Sequence, residues 1–248
     1  MTRWKLTIEY DGSPYCGWQR QDGQPSVQQC IEEAIFKFCQ QDIRIHAAGR
    51  TDTGVHGLGQ VAHFDLDYGD RALSGHDLAK AINAHLRPEK IAILKAEETD
   101  PEFHARFDAV NKLYRYNIIN RNAPLTVDHG LAWQVWKNLD ANAMHDAAQV
   151  LLGQHDFTTF RDSECQAKSP VRTLDRIEVK RDGDLISMEV EARSFLHHQV
   201  RNTIGTLVLV GEGKWTCEDF KKALEAKDRT KGGMTAPPDG LYLVRIDY

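Results

Sequence analysis

The stretch Gly49-Arg50-Thr51-Asp52-Thr53-Gly54-Val55-His56-Gly57 sets one carboxylate among three glycines. Glycine on both sides of an acid lets the backbone turn sharply and lets a ligand come close. Asp52 is then presented at a loop tip, where an ionised carboxylate can act as nucleophile or stabilise developing positive charge. Arg50, two residues earlier, can hold a phosphate or the polar edge of a ligand. Composition alone leaves a plainer alternative, in which Asp52 caps its own turn.

A second patch, Lys112-Leu113-Tyr114-Arg115-Tyr116, interleaves bases with aromatics and is flanked by Arg106 and Arg121. Strand alternation puts Tyr114 and Tyr116 on one face and Arg115 on the other. Aromatics beside cations suit stacking on a nucleobase; a half-buried edge strand with solvated charges suits the same residues. A third pair, His197 and Arg201, is expected one helical turn apart on an apolar helix with Val200, Ile204 and Leu207. An arginine there needs a carboxylate or a phosphate, and a structural ion pair would satisfy it. Arg161, Lys168, Arg172, Arg176, Lys180 and Arg181 form a modest basic region.

Other chemistries find no support. Among eleven histidines there is no His-Glu-x-x-His; His197 and His198 on one helix would point about 100° apart. His85, on an apolar helical face, reads as a core histidine. No phosphate-cradling Gly-x-x-x-x-Gly-Lys, dinucleotide Gly-x-Gly-x-x-Gly or Gly-x-Ser-x-Gly elbow occurs. Five scattered cysteines without a Cys-x-x-Cys pair argue against a disulfide framework and suit a reducing cytoplasm. The start has no apolar signal core, and the longest apolar run, Ile204 to Val210, is too short for a membrane. No membrane partner is expected.

The elements that must position these residues can be read from periodicity. Strands are predicted at Trp4–Tyr10, Ile43–Ala48, Val61–Leu66 and Ile91–Lys95. Ser26 opens a helix, with Gln29 completing a capping box and Val27, Cys30, Ile31, Ala34, Ile35 and Phe38 inward. A short helix carries Leu78, Ala81, Ile82, His85 and Leu86, and Pro88 ends it. Further along, strands are predicted at Tyr114–Ile119 and Leu131–Val135. Asp140 caps a helix that Gly153 ends. Leu174–Lys180 and Leu185–Glu191 form a hairpin across Asp182-Gly183. Helices at Phe195–Gly211 and Thr216–Lys227 and a strand at Leu241–Ile246 complete the chain. The pattern is α+β, in two halves, 1–105 and 106–248.

Taken together, the motifs resemble the tRNA pseudouridine synthase A family. They are the loop Gly49–Gly57 with Gln60, Phe103-His-Ala-Arg-Phe107, Lys112-x-Tyr-Arg-Tyr116, Asp156-Phe157, Arg172-Thr173 and Phe195-Leu-His-His-Gln-Val-Arg-Asn202. Tyr10-Asp-Gly-Ser13, Gly17-Trp-Gln19, Ser26-Val-Gln28, and Ala236-Pro237 with Gly240-Leu-Tyr-Leu243 match too, so the likeness covers nearly the whole chain. The resemblance implies a pseudouridine synthase fold, with two halves resembling RNA-recognition folds whose antiparallel sheets form a central cleft. It implies a homodimer that converts uridine to pseudouridine at positions 38 to 40 of the tRNA anticodon stem-loop, with neither metal nor organic cofactor. Residue by residue, it implies Asp52 as the catalytic acid, Arg201 as its ion-pair partner and Tyr114 as the ring stacked on a flipped-out uridine. Leu241 would wall the pocket and Arg50 would hold the flipped nucleotide. His56, Gln60, Arg106, Lys112, Arg115 and His197 fall on motif positions expected to line the substrate site. Gln199 departs from the family pattern, which commonly has Met there, and Arg87 stands where many members pass from Leu directly to Pro.

The net charge of −5 argues mildly against an RNA partner. The signs are uneven, however. Residues 62–102 hold nine acids against five bases, whereas 103–121 hold four bases against Asp108 alone. A bipolar surface is expected, positive where Asp52 opens.

Overall fold

The computed structural model describes residues 1–69 and 72–248. In chain order its elements are β1 (Thr2–Tyr10), α1 (Val27–Cys39), β2 (His46–Ala47), β3 (His56–Leu66), α2 (Gly75–Leu86), β4 (Ile91–Glu98), β5 (Asn111–Ile119) and β6 (Trp133–Gln134). They continue with α3 (Ala141–Ala148), β7 (Gly153–Asp156), β8 (Val171–Leu174), β9 (Arg176–Asp182), β10 (Leu185–Ala192), α4 (Gln199–Gly211), α5 (Cys217–Ala226) and β11 (Leu241–Asp247). Two compact units result: Met1–Val110 with Tyr242–Tyr248, and Asn111–Leu241. Most of the closing strand, placed with the second half on sequence, is grouped with the first unit.

In the first unit, β1 runs antiparallel between β4 and β3, and the start of β11 pairs parallel with the start of β3 at Tyr242–His56 and Leu243–Gly57. α1 and α2 cover one face. Trp4, Leu6, Ile8 and Tyr10 of β1 meet Ile31 and Ile35 of α1 and Leu78, Ile82 and Leu86 of α2 in one buried cluster. Period-two burial along β1 and i, i+4 burial along both helices account for that layer. The i, i+4, i+8 stripe of α2 leaves His85 off the buried face, so it is exposed rather than a core histidine. Ser26 caps α1 by accepting the Gln29 N–H at 3.3 Å, but the capping box is incomplete, because the Gln29 amide donates to Glu33. The expected strand at Ile43–Ala48 shrinks to β2. Ile45 explains this: its N–H goes to Glu32 and its carbonyl accepts from Gln28, both on α1, so no ladder partner is needed.

In the second unit, β5, β10 and β9 form an antiparallel sheet, with β6 parallel to the end of β5. The β9–β10 turn is Gly183-Asp184, one residue later than expected, with Gly183 at φ 56°. β7 and β8 form a separate two-stranded ladder. The strand expected at Leu131–Val135 is reduced to β6: the Leu131 N–H closes a turn on Asp128, and the Asn120 amide takes the carbonyls of Val135 and Lys137. Asp140 caps α3 as expected. Met144, Phe157, Phe160, Met188, Ile204, Leu207 and Phe220 are buried in this unit's core. The fold is thus α+β, with antiparallel and mixed strand pairing. No helix among the described residues is long and apolar enough to cross a membrane.

Candidate active site

Asp52 sits in the link from β2 to β3, in a turn closed by the Val55 N–H on the Asp52 carbonyl at 3.1 Å. The loop's neighbours hold it rigidly. Trp18 donates its N–H to the Thr51 carbonyl at 3.0 Å, and the Tyr10 hydroxyl and Thr51 Oγ1 are hydrogen-bonded at 2.9 Å. Gly17, at φ 100°, lies so close that a Cβ there would come within 2.6 Å of the Thr51 carbonyl oxygen. A Cβ at Gly12 would fall 2.1 Å from the Val55 carbonyl oxygen, and one at Gly57 would strike the Tyr10 ring. Backbone contact of this kind packs the main chain closely and leaves no room for a side chain at these glycines, while the Asp52 side chain itself is half-buried. Arg50 is exposed beside it.

His56 and Gln60 lie behind the loop. His56, 1 % exposed, accepts the Gly12 N–H on Nδ1 at 3.1 Å and stacks on Tyr242 with ring centroids 4.6 Å apart. Gln60, also buried, donates to the Gly49 carbonyl at 2.9 Å and bonds Tyr10. Burial pushes the Tyr10 hydroxyl up to about 12 against its hydrogen bonds to Thr51 and Gln60, so it stays protonated. Asp11 adds a brace. Burial would raise its carboxyl, but Lys90 and Ser13 outweigh it and hold it at about 2. These side chains position the loop. Arg106 is exposed elsewhere in the first unit, its N–H on His104.

In the second unit, Tyr114 is half-buried on β5, its ring edge-on to Phe195 at 5.1 Å. Tyr116, on the same strand face, is fully buried and donates its hydroxyl to the Pro237 carbonyl at 2.7 Å. Arg201, on α4, donates from Nε to the neighbouring Ala236 carbonyl at 2.8 Å. Burial pushes the Tyr116 hydroxyl well above its ordinary range, and the Arg201 charge opposes that. Arg201, Tyr116 and Ala236-Pro237 therefore form one braced group, with Leu241 buried at the end of that segment. Lys112 is half-buried at the start of β5, whereas Arg115 is paired with Glu189 across the β5–β10 ladder at 2.8 Å.

The helix expected from Phe195 begins only at Gln199. His198 adopts a left-handed conformation at φ 59°, its ring 2.6 Å from Asp162, and the Gln199 side chain accepts the Leu196 N–H. His197 is therefore not one helical turn from Arg201. The rings of His197 and His198 lie 4.0 Å apart rather than splayed, so the helical argument against shared ligation does not apply to them. Gln199, the departure from the family pattern, offers the Leu196 N–H an amide oxygen, where methionine would offer only a weakly accepting sulfur.

The supports missed on sequence are Tyr10, Gly12, Gly17 and Thr51. The signal was present in the Tyr10-Asp-Gly-Ser13 and Gly17-Trp-Gln19 motifs, but only the fold shows that they cradle the Asp52 loop.

Comparison with known proteins gives this geometry its context. The chain is 58 % identical to "tRNA pseudouridine synthase A" of Parvibaculum lavamentivorans over 248 residues, covering all of both proteins. It is 55 % identical to that of Rhodospirillum rubrum, covering all of this chain and 88 % of that protein, and 56 % identical to that of Afipia carboxidovorans, covering all of both. Among solved structures it aligns with a chain of a Cbf5-Nop10-Gar1 complex at TM-score 0.40 and 12 % identity, over 97 % of this chain and 48 % of that one, a likeness too remote to bear on the chemistry. With the tRNA pseudouridine synthase family model matching residues 6–108 and 147–248 as well, the chain belongs to the tRNA pseudouridine synthase family.

Proposed function

We propose that this chain converts uridine to pseudouridine at positions 38, 39 and/or 40 of the tRNA anticodon stem-loop, using Asp52 as its single essential acid. The observation that carries the reading is the closely packed loop of residues 49–57, which presents one half-buried carboxylate and no second one. A glycosidase working by hydrolysis needs a paired acid and base. An isomerisation does not: the N1–C1′ bond breaks, the uracil turns, C5 bonds to C1′, and the C5 proton is lost while N1 gains one. Nothing is oxidised and no group leaves the site.

The target uridine must be unstacked to expose C1′. Tyr114, half-buried with its ring set by Phe195, is assigned the stacking role. Arg201 is assigned the counter-charge to Asp52, Leu241 the pocket wall, and Arg50 the holding of the displaced nucleotide; family membership supports these assignments. Lys112 and Arg106 are assigned to the RNA backbone. The buried His56 and Gln60 serve by positioning. The enzyme works as a cytoplasmic homodimer without metal.

Uridine tritiated at C5 tests the chemistry directly, because forming the C5–C1′ bond releases that tritium to water. Wild-type protein should release it from tRNA in EDTA as fast as without, and Asp52→Ala should release none. Arg201→Ala should lower turnover more than tRNA affinity. Release by Asp52→Ala at the wild-type rate would remove Asp52 from the chemistry; loss in EDTA would show a metal requirement.

A further inference from the structure

In the second unit, Arg161 in the loop of residues 157–170 and Arg172 on β8, just past that loop, are two guanidiniums that no carboxylate among the described residues neutralises. The loop's base is closed by β7 and β8, where His155 faces Arg172, and by the Phe157 N–H on the Pro170 carbonyl at 3.0 Å. Arg172 donates from Nη1 to the carbonyls of Ser169 at 3.0 Å and Val171 at 2.6 Å, which leaves its buried Nε without any hydrogen-bond partner. Arg161 donates from Nη2 to the Cys165 carbonyl. Among the described residues neither arginine makes an ion pair. Asp162, the carboxylate next to Arg161, is taken by His198 at 2.6 Å and the Glu164 N–H at 2.8 Å.

Burial pushes the Arg172 guanidinium's pKa down, and the Arg161 charge adds to that against the opposing Cys165 thiol. Arginine stays protonated even so. Two half-buried guanidiniums that repel one another are unfavourable unless an anion offsets their charge. Exposed Lys168 extends the same charge along the loop, and the Asp162 N–H bonds the His197 carbonyl at 3.0 Å, tying the loop to the segment that leads into Arg201.

We propose that Arg161 and Arg172 form a phosphate-binding site, and that its occupant is a phosphodiester of the tRNA backbone. A phosphodiester brings one negative charge and two free oxygens, one acceptor for each guanidinium. Such a contact fixes register without reading sequence. The inference rests on tRNA being the substrate.

The test is the affinity of the full-length protein for an unmodified tRNA transcript across a salt series, with Arg161→Gln, Arg172→Gln and Arg172→Lys. Each glutamine variant should weaken binding about tenfold and flatten the salt slope by about one. Arg172→Lys should keep the slope and lose part of the affinity, since it retains charge but not the fork. If the Arg172 variants do not fold, Arg161→Gln decides, because Arg161 holds only one carbonyl. Wild-type affinity and slope in Arg161→Gln would overturn the proposal. So would inorganic phosphate raising the melting temperature through these arginines while tRNA binding ignores them, for the site would then belong to a free anion. The two readings fail separately: a wild-type protein that releases no tritium, yet binds tRNA through Arg161 and Arg172, would refute the catalytic assignment and leave this site standing.

Discussion

The role proposed for Asp52 requires a backbone that holds its place, and the close contacts at Gly12, Gly17 and Gly57 provide it. Gly17 is the most demanding of them, because both its φ of 100° and its 2.6 Å approach exclude a side chain. Another residue of this unit responds to pH. His63 is buried, accepts the Ala105 N–H on Nδ1 at 3.2 Å, and is pushed down to about 4 by burial with His104 and His46 close by. The unfolded chain protonates this histidine first, near 6.5. Stability is therefore full above that pH and is lost as pH falls toward 4. Thermal melts from pH 7 to 4.5 should show wild type losing on the order of 2 kcal/mol more than His63→Asn; parallel curves would contradict this assignment. At this scale the sequence was partly legible. The acid and its glycines stood out, but the burial of His56 and Gln60 and the capture of Arg115 by Glu189 depend on partners that spacing does not reveal.

Elements place what residues cannot place alone, and α4 is the case in point. Gly205 lies against the chain that follows α5: a Cβ there would sit 2.0 Å from the Met234 carbonyl oxygen. The Ala236 N–H donates to the Arg201 carbonyl at 3.2 Å across the same contact. Gly205→Ala should therefore push α4 off this segment and misplace Arg201. Tritium release should fall at least about tenfold, since misplacements of about 1 Å carry costs of that order or more. Turnover within twofold of wild type would show that Arg201 does not depend on this packing. Caps were legible because Ser26 and Asp140 act within three residues of themselves. Residues 43–45 and 195–198 were not, because their conformation is set by distant side chains: Glu32 and Gln28 hold Ile45, and Asp162 holds His198 from 36 residues away. Local periodicity carries no trace of such bonds.

Over the whole molecule, the acidic sum has an address. By sequence the first unit holds 18 Asp and Glu against 13 Lys and Arg, and the second holds 18 of each, so the net −5 belongs entirely to the first. An overall negative charge thus coexists with local basic ground, including the uncompensated Arg161 and Arg172. Affinity for tRNA should fall steeply as salt rises, through release of counterions from the phosphates; a flat response would argue against phosphate contacts. Pseudouridine at positions 38 to 40 should be mapped in tRNA from cells lacking this chain, then from the same cells given wild type or Asp52→Ala. The modification should vanish with the chain, return with wild type and stay absent with Asp52→Ala. Pseudouridine persisting at those positions without the chain, or returning with Asp52→Ala, would contradict the account.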